Sequence, residues 1–181
     1  MAPDEQVVLL DESGRPAGFA GKSSVHGPDT PLHLAFSCHL LDGEGNVLVT
    51  RRALTKRTWP GVWTNSFCGH PAPDEALEHA VRRRARFELG IEVEVLQLVL
   101  PDFRYRAVDA SGVVENELCP VFVAGPVGEP DPNPAEVAEH HWVPLADLER
   151  ALTATPFAFS PWLAMQLSQL RATGALTGRA A

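Results

Sequence analysis

The chain reads as an α/β (α+β) protein, a mixed β-sheet covered by helices. Three observations predict this: short apolar runs with strand character recur along the whole length, a few segments repeat their apolar residues at three- and four-residue spacing, and no internal repeat divides the chain. At 181 residues it is expected to form one domain, 1–181. A chain of this size buries roughly 70% of the surface it exposes when unfolded.

VVLLD (7–11) predicts a strand, and ESGRPAG a turn after it. LHLAFSCHLLD (32–42) and NVLVTRR (46–52), split by Gly43, Glu44 and Gly45, predict a hairpin. Residues 55–73, TKRTWPGVWTNSFCGHPAP, are rich in turn formers and too long for a simple connector, and loops of that kind are usually functional or disordered. A helix is expected over 74–89, with Asp74 as N-cap after Pro73 and Gly90 in the position of a left-handed C-cap. IEVEVLQLVL (91–100), DFRYRAV (102–108) and VVENELCPVFVA (113–124) predict three strands, the last two joined by a turn at Asp109–Gly112. After a Pro-rich loop (126–134), HHWVPLADLERAL predicts a short strand and a helix, and SPWLAMQLSQL a last amphipathic helix. The small, polar tail 173–181 is expected to fray.

Composition excludes several classes. With 45% apolar and 21% charged residues the chain is an ordinary globular one. No apolar run approaches the ~20 residues that span a bilayer, and MAPDEQVV lacks the layout of a signal peptide, so a cytoplasmic protein without a membrane partner is expected. Cys38, Cys68 and Cys119 are odd in number and form no CxxC, against a disulfide scaffold or zinc finger. A net charge of −8 disfavours nucleic acid, yet eight of the 15 basic residues lie in RRALTKR (51–57) and RRRAR (82–86). These are either two solvated faces or a pocket for a small polyanion.

Two places break the expected patterning. On helix 74–89 the apolar stripe is Leu77, Ala80, Val81, Ala85 and Phe87, and Arg84 and Glu88 fall inside it. They are either a buried ion pair or ligands of an anion and a divalent cation. In VVENELCPV, Glu115 and Glu117 share one strand face with Cys119; the two carboxylates belong either to a water-facing edge strand or to a cation site. His26, His33 and His70 with these carboxylates would make a nitrogen and oxygen donor set suited to zinc, manganese or iron. From its neighbours alone, Cys68 is a metal ligand beside His70, an acid or base, or a small core residue. Loop packing is expected of Trp59 and Trp63, and a solvated strand end of His140 and His141.

The motifs LHLAFS (32–37), TRRALTKRTWPGVWTNSFCGHP (50–71), LPDFRYRA (100–107), SGVVENELCPVF (111–122) and ATPFAFSPW (154–162) together resemble the type I isopentenyl-diphosphate isomerases, a likeness running from about Val7 to Met165. The helix also resembles a Nudix box: Gly69, Glu75, Arg83, Glu88, Gly90 and Ile91 match, and Arg84 and Phe87 stand where glutamates are expected. That departure argues against hydrolysis of a diphosphate while leaving a Nudix-like fold, a mixed sheet sandwiched between helices. The remaining alternatives are a Nudix hydrolase of a nucleoside diphosphate derivative and a non-catalytic, metal-stabilised binding domain.

The resemblance implies a small isoprenoid diphosphate as ligand and a monomer or weak oligomer. It implies one divalent metal (Mn, Zn or Mg) on His26, His33, His70, Glu115 and Glu117, and a Mg held by Glu88, the Cys68 carbonyl and substrate diphosphate. Lys22, Arg52, Lys56 and Arg84 match the diphosphate grip, Cys68 and Glu117 the proton-transfer pair with Tyr105 beside Glu117, and Trp162 the aromatic over the hydrocarbon end. The implied reaction shifts a double bond by adding a proton to the terminal alkene carbon and removing one from the neighbouring methylene. It therefore needs two acid/base groups on opposite faces and a dry site.

Overall fold

The computed structural model describes residues 5–176. β1 (Gln6–Leu10) pairs antiparallel with β2 (Pro16–Gly21), which is a strand where only a turn was expected. PAGFAG has no apolar alternation; as an edge strand with its proline first, it loses no ladder hydrogen bond. A single turn of helix, α1 (Lys22–Val25), then leads to His26.

β3 (His33–Leu34) and β4 (Phe36–Leu40) lie in different sheets, and the predicted hairpin of 32–42 with 46–52 does not form. β4 and β5 (Asn46–Arg52) share one isolated bridge at Leu41–Val47 before they part. The segment between them explains why: β6 (Trp63–Thr64) pairs with β5, and β7 (Phe67–Gly69) pairs with β4. Asn65 and Ser66 cross the gap. Ser66 Oγ takes the Leu40 N–H at 2.8 Å and donates to the Leu48 carbonyl at 2.7 Å, supplying side-chain bonds where a β4–β5 ladder would have run.

α2 (Leu77–Leu89) starts later than predicted, because Asp74 sits at φ 61° and cannot cap it. Glu75 organises the entry instead, accepting the Ala72 N–H at 2.8 Å and pairing with Arg83 at 2.7 Å. Gly90 ends the helix at φ 66°, as expected. A Cβ on Gly69 would meet Arg84 Cγ at 2.7 Å, so glycine is what lets α2 lie this close on β7. Phe87, expected in the buried stripe, is 51% exposed; Arg84 and Glu88 occupy the stripe's centre, leaving the Phe87 ring at its margin, 4.8 Å from the Arg84 guanidinium.

β8 (Glu92–Leu100), β9 (Arg104–Val108), β10 (Val114–Leu118), β11 (Val121–Val127) and β12 (Val137–Pro144) complete the strands, and α3 (Leu145–Ala154) and α4 (Pro161–Thr173) the helices. The single strand predicted over 113–124 breaks at Pro120, which has no N–H for the ladder. There the chain leaves the five-stranded sheet (β2-β1-β3-β10-β9) for the four-stranded one (β7-β4-β11-β8), and the parallel neighbours β3 and β4 make the same change at Ala35. A third sheet, β12-β5-β6, lies alongside.

The four-stranded sheet is covered on both faces, so the helix-sandwiched architecture is present. Phe36, Cys38, Leu40, Phe122 and Ala124 pack under Ala80, Val81, Ala85 and Leu89 of α2. On the other face Val121 and Val123 join Trp162, Leu163, Leu167 and Leu170 of α4. Alternation therefore points Ser37 and His39, between the buried residues of β4, toward α4. Thr173 closes α4 and Leu176 is buried, so the start of the tail is packed rather than frayed; 177–181 lie outside the described residues. No helix among the described residues is long and apolar enough to cross a membrane.

Candidate active site

Strand register aligns the first part of the site. Glu117 of β10 is paired with His33 on one side and Tyr105 of β9 on the other, so three side chains stand in a row on one face. The Tyr105 hydroxyl donates to Glu117 Oε2 at 2.9 Å, and His33 Nε2 lies 3.5 Å from Oε1. His70, just after β7, brings its Nε2 to 3.3 Å from the same oxygen. His26, after α1, places Nε2 3.0 Å from Glu115 Oε2. The three imidazole centroids are 5.1–5.8 Å apart.

One ligand atom from each of His26, His33, His70 and Glu117 falls within 4.8 Å of the others, and Glu115 adjoins this set through His26. His33 Nδ1 faces the Pro31 carbonyl at 3.0 Å, which makes it the N–H and leaves the Nε2 lone pair facing Glu117. His26 Nε2, His33 Nε2, His70 Nδ1 and Glu115 Oε2 are buried without a well-directed hydrogen bond among the described residues, although His26 and Glu115 approach to 3.0 Å. Buried polar atoms are nearly always satisfied, and four such atoms among neighbouring imidazoles and a carboxylate fit a divalent cation. Burial pushes His70 down to about 4, keeping it neutral as a ligand must be. Burial acts the same way on His33, but the Glu117 carboxylate outweighs it and raises that histidine. Burial would also raise Glu117, yet His33 and His70 together hold it well below the usual carboxylate range.

These groups open onto a cavity of about 500 Å³, lined also by Lys22, Arg52, Lys56, Cys68, Arg84, Glu88, Tyr105 and Trp162. His33 lies fully buried directly behind it. Three of the basic side chains hold carboxylates: Lys22 with Glu5 at 2.6 Å, Lys56 with Glu136, and buried Arg84 with Glu88 at 2.5 Å and Glu136 at 3.4 Å. Arg52 donates to the Thr58 carbonyl at 2.9 Å and stands 5.5 Å from the Trp162 ring centroid. Of the two readings left open for Arg84 and Glu88, the protein as it stands contains the ion pair.

Cys68 does not belong to the four-atom histidine set. Its Sγ lies 3.3 Å from Ser37 Oγ and 3.3 Å from Asn65 Oδ1, and burial, opposed by these two hydrogen bonds, pushes the thiol up to about 11. Trp162, in the first turn of α4, donates Nε1–H to the same Asn65 oxygen at 3.0 Å; its ring is 5.6 Å from Tyr105 and 5.2 Å from Trp59. Behind Cys68, Gln166 donates to Ser37 Oγ at 2.8 Å and is itself held by His39 at 2.9 Å. Sequence reasoning missed Ser37, Asn65, Gln166, Glu136 and Glu5. Only Gln166 had a signal, a polar residue on the buried stripe of α4 between Leu163 and Leu167.

Comparison with known proteins agrees with this construction. Residues 31–163 match the NUDIX domain model. The fold resembles that of a Deinococcus radiodurans protein at a TM-score of 0.71 and 20% identity, covering 91% of this chain and 98% of that one. It also resembles a MutT protein from Methanosarcina mazei Go1 at a TM-score of 0.62 and 20% identity, covering 78% of this chain and 94% of the other. Isopentenyl-diphosphate Delta-isomerase of Clavibacter michiganensis is 62% identical over 92% of this chain and 86% of its own length. The same enzyme of Paenarthrobacter aurescens is 58% identical over 97% and 96%, and that of Klebsiella pneumoniae 55% identical over 96% and 94%. A cavity lined by imidazoles, carboxylates, lysines and arginines, on a NUDIX scaffold with relatives this similar, leads to one conclusion: the chain belongs to the isopentenyl-diphosphate Delta-isomerase family.

Proposed function

We propose that the protein is an enzyme interconverting isopentenyl diphosphate and dimethylallyl diphosphate, with Cys68 and Glu117 as its acid/base pair. The observation that supports this most is that the Cys68 thiol and the Glu117 carboxyl open onto one cavity that Lys22, Arg52, Lys56 and Arg84 also line, basic groups that suit a diphosphate. In this reading Lys22, Arg52, Lys56 and Arg84 grip the diphosphate, and the five-carbon tail lies among Cys68, Glu117, Tyr105 and Trp162. Fixing the tail between acid and base lowers the barrier by as much as ~7–11 kcal/mol.

A thiol raised to about 11 keeps its proton near neutral pH, so Sγ has one to deliver. The pair exchanges two protons with the substrate. One group gives a proton to the terminal alkene carbon, the electron pair shifts, and the other group removes a proton from the adjacent methylene. Tyr105, hydrogen-bonded to Glu117, holds that carboxyl in place and relays its proton. The tertiary cation formed between the two transfers must be kept from water. Trp162, 2% exposed, offers an indole face worth ~2 kcal/mol or more to a desolvated cation.

His26, His33, His70, Glu115 and Glu117 would hold a zinc, manganese or magnesium ion, and Glu88 with the Cys68 carbonyl a magnesium shared with the substrate. Bound there, the first ion supplies positive charge that sets the protonation state of Glu117, and the second neutralises diphosphate charge. The protein's working place is the cytoplasm, as a monomer or weak oligomer.

The test is incubation with isopentenyl diphosphate, magnesium and manganese in deuterated water, followed by NMR. The expected result is dimethylallyl diphosphate carrying solvent deuterium; release of phosphate would instead favour the hydrolase reading. Cys68→Ala should remain folded and metal-loaded while kcat falls at least ~10³-fold, the scale of a lost acid/base group. Unfolding or loss of metal in that variant would favour a structural role.

A further inference from the structure

Asn65 is fully buried in the crossing between β6 and β7, and its carboxamide orientation follows from its partners. Nδ2 donates to the carbonyls of Cys38 at 3.1 Å and Phe67 at 2.8 Å, groups that only accept, so the other end is the oxygen. Three donors reach that oxygen: Trp162 Nε1 at 3.0 Å, Thr64 Oγ1 at 3.0 Å and Cys68 Sγ at 3.3 Å. A carbonyl oxygen has two lone pairs. The indole N–H is a donor only and is committed here, whereas the Thr64 hydroxyl can turn to Ser160 Oγ at 2.8 Å. That leaves the second lone pair to the thiol, the weakest donor of the three and the one most readily released.

We infer that Asn65 is a positioning residue that holds the Cys68 thiol and the Trp162 indole in one frame. The inference rests on the isomerase reading, in which these two groups face the same five-carbon chain. The opposite side of the sulfur has a complementary arrangement. His39 Nε2 donates to Gln166 Oε1, so Gln166 Nε2 donates to Ser37 Oγ, and the Ser37 hydrogen is left to point at sulfur, at Cys68 (3.3 Å) or Cys119 (3.4 Å). Cys68 thus has in Asn65 an acceptor that orients its S–H, and shares the Ser37 hydroxyl with Cys119. Asn65 joins β4 and β7, through its amide hydrogens, to the first turn of α4, so the spacing of acid and aromatic depends on one side chain.

The experiment uses the metal-loaded protein. Trp162 is identified in the ¹⁵N–¹H spectrum by the indole signal that Trp162→Phe removes; kcat and KM are then measured for Asn65→Ala, Trp162→Phe and the double variant. Asn65→Ala is expected to lower kcat by ~10–10²-fold, the scale of a small misplacement of reacting groups, while KM changes less than about threefold. The Trp162 indole signal should move upfield, and the two substitutions together should reduce kcat by less than the product of their separate effects. Strict multiplicativity, an unmoved indole signal, or parallel losses in kcat and folded fraction would overturn the inference. If Asn65→Ala does not fold, Asn65→Ser, which keeps a polar group near the Cys38 carbonyl, takes its place under the same criteria. A wild-type protein that fails to isomerise isopentenyl diphosphate sinks the isomerase reading; an active wild type with near-normal Asn65 variants sinks this inference alone.

Discussion

Around the cavity His26, His33, His70, Glu115 and Glu117 crowd together with four of their buried polar atoms lacking a hydrogen bond among the described residues, while Lys22, Lys56 and Arg84 each already hold a carboxylate. The contrast shows two ways of keeping charge in a partly dry pocket. The histidine set is preorganised: one ligand atom from each of His26, His33, His70 and Glu117 lies within 4.8 Å of the others, as a cation site requires. The basic set is compensated: Glu5, Glu88 and Glu136 hold its charges, and an anion entering the cavity would have to displace these carboxylates. Preorganisation favours tight, lasting binding of a metal, and compensation favours a ligand that enters and leaves every turnover.

The largest effect should come from the preorganised set. Glu117→Gln keeps the shape and the Tyr105 contact but removes the charge that the imidazoles face. Metal content measured on the purified protein should fall together with a loss of at least ~10³-fold in kcat. Retention of metal and of turnover within tenfold would show that the two sets do not differ as described.

Next comes the compensated set, where Arg84→Met leaves buried Glu88 without its main partner. Urea unfolding should register a loss of about 3–5 kcal/mol, the scale for breaking one member of a buried pair. Adding Glu88→Gln should restore much of that stability without restoring KM. Recovery of both together would mean that Arg84 serves the fold and not the ligand.

A smaller effect sharpens the comparison from outside the cavity. His39 is buried on the α4 side of the sheet, and burial pushes it down to about 4 from an ordinary value of 6.5, against the partial opposition of Gln166. The unfolded chain takes up a proton below about 6.5 and the folded chain only near 4. Between those values the unfolded state binds more protons, so stability falls as the pH falls through that window. The contribution is roughly 3 kcal/mol at ~1.4 kcal/mol per pKa unit. Urea melts at pH 7, 5.5 and 4.5 should show a flatter profile in His39→Asn, and an unchanged slope would remove His39 from the account.

Legibility of the fold followed the range of the interactions. The Gly90 cap was readable because it depends on neighbouring dihedrals, and the last helix because its apolar period lies within one segment. The hairpin of 32–42 with 46–52 was misread because its local signals were sound; residues 63–69, distant in sequence, took both pairing edges. The Asp74 cap failed for a similar reason, since Glu75 is pulled to Arg83 and the chain turns at Asp74. Asn65 and Ser37 carried no signal, because a polar residue in a turn-rich loop or between strand residues is ordinary until its partners are known.

The chain by itself determined the chemical inventory: the histidines, carboxylates and basic residues, the motifs that carry the family resemblance, and the misplaced Arg84 and Glu88 on an otherwise apolar stripe. Side-chain type and helical period are local properties, and they mark where charge will be forced inward. Only the tertiary structure decided that His26, His33, His70 and Glu117 converge within 4.8 Å, that Cys68 shares their cavity, and that one asparagine joins the thiol to Trp162. Those outcomes depend on two parallel strand pairs changing sheets together at Ala35 and Pro120, an arrangement set by contacts between segments far apart in the chain.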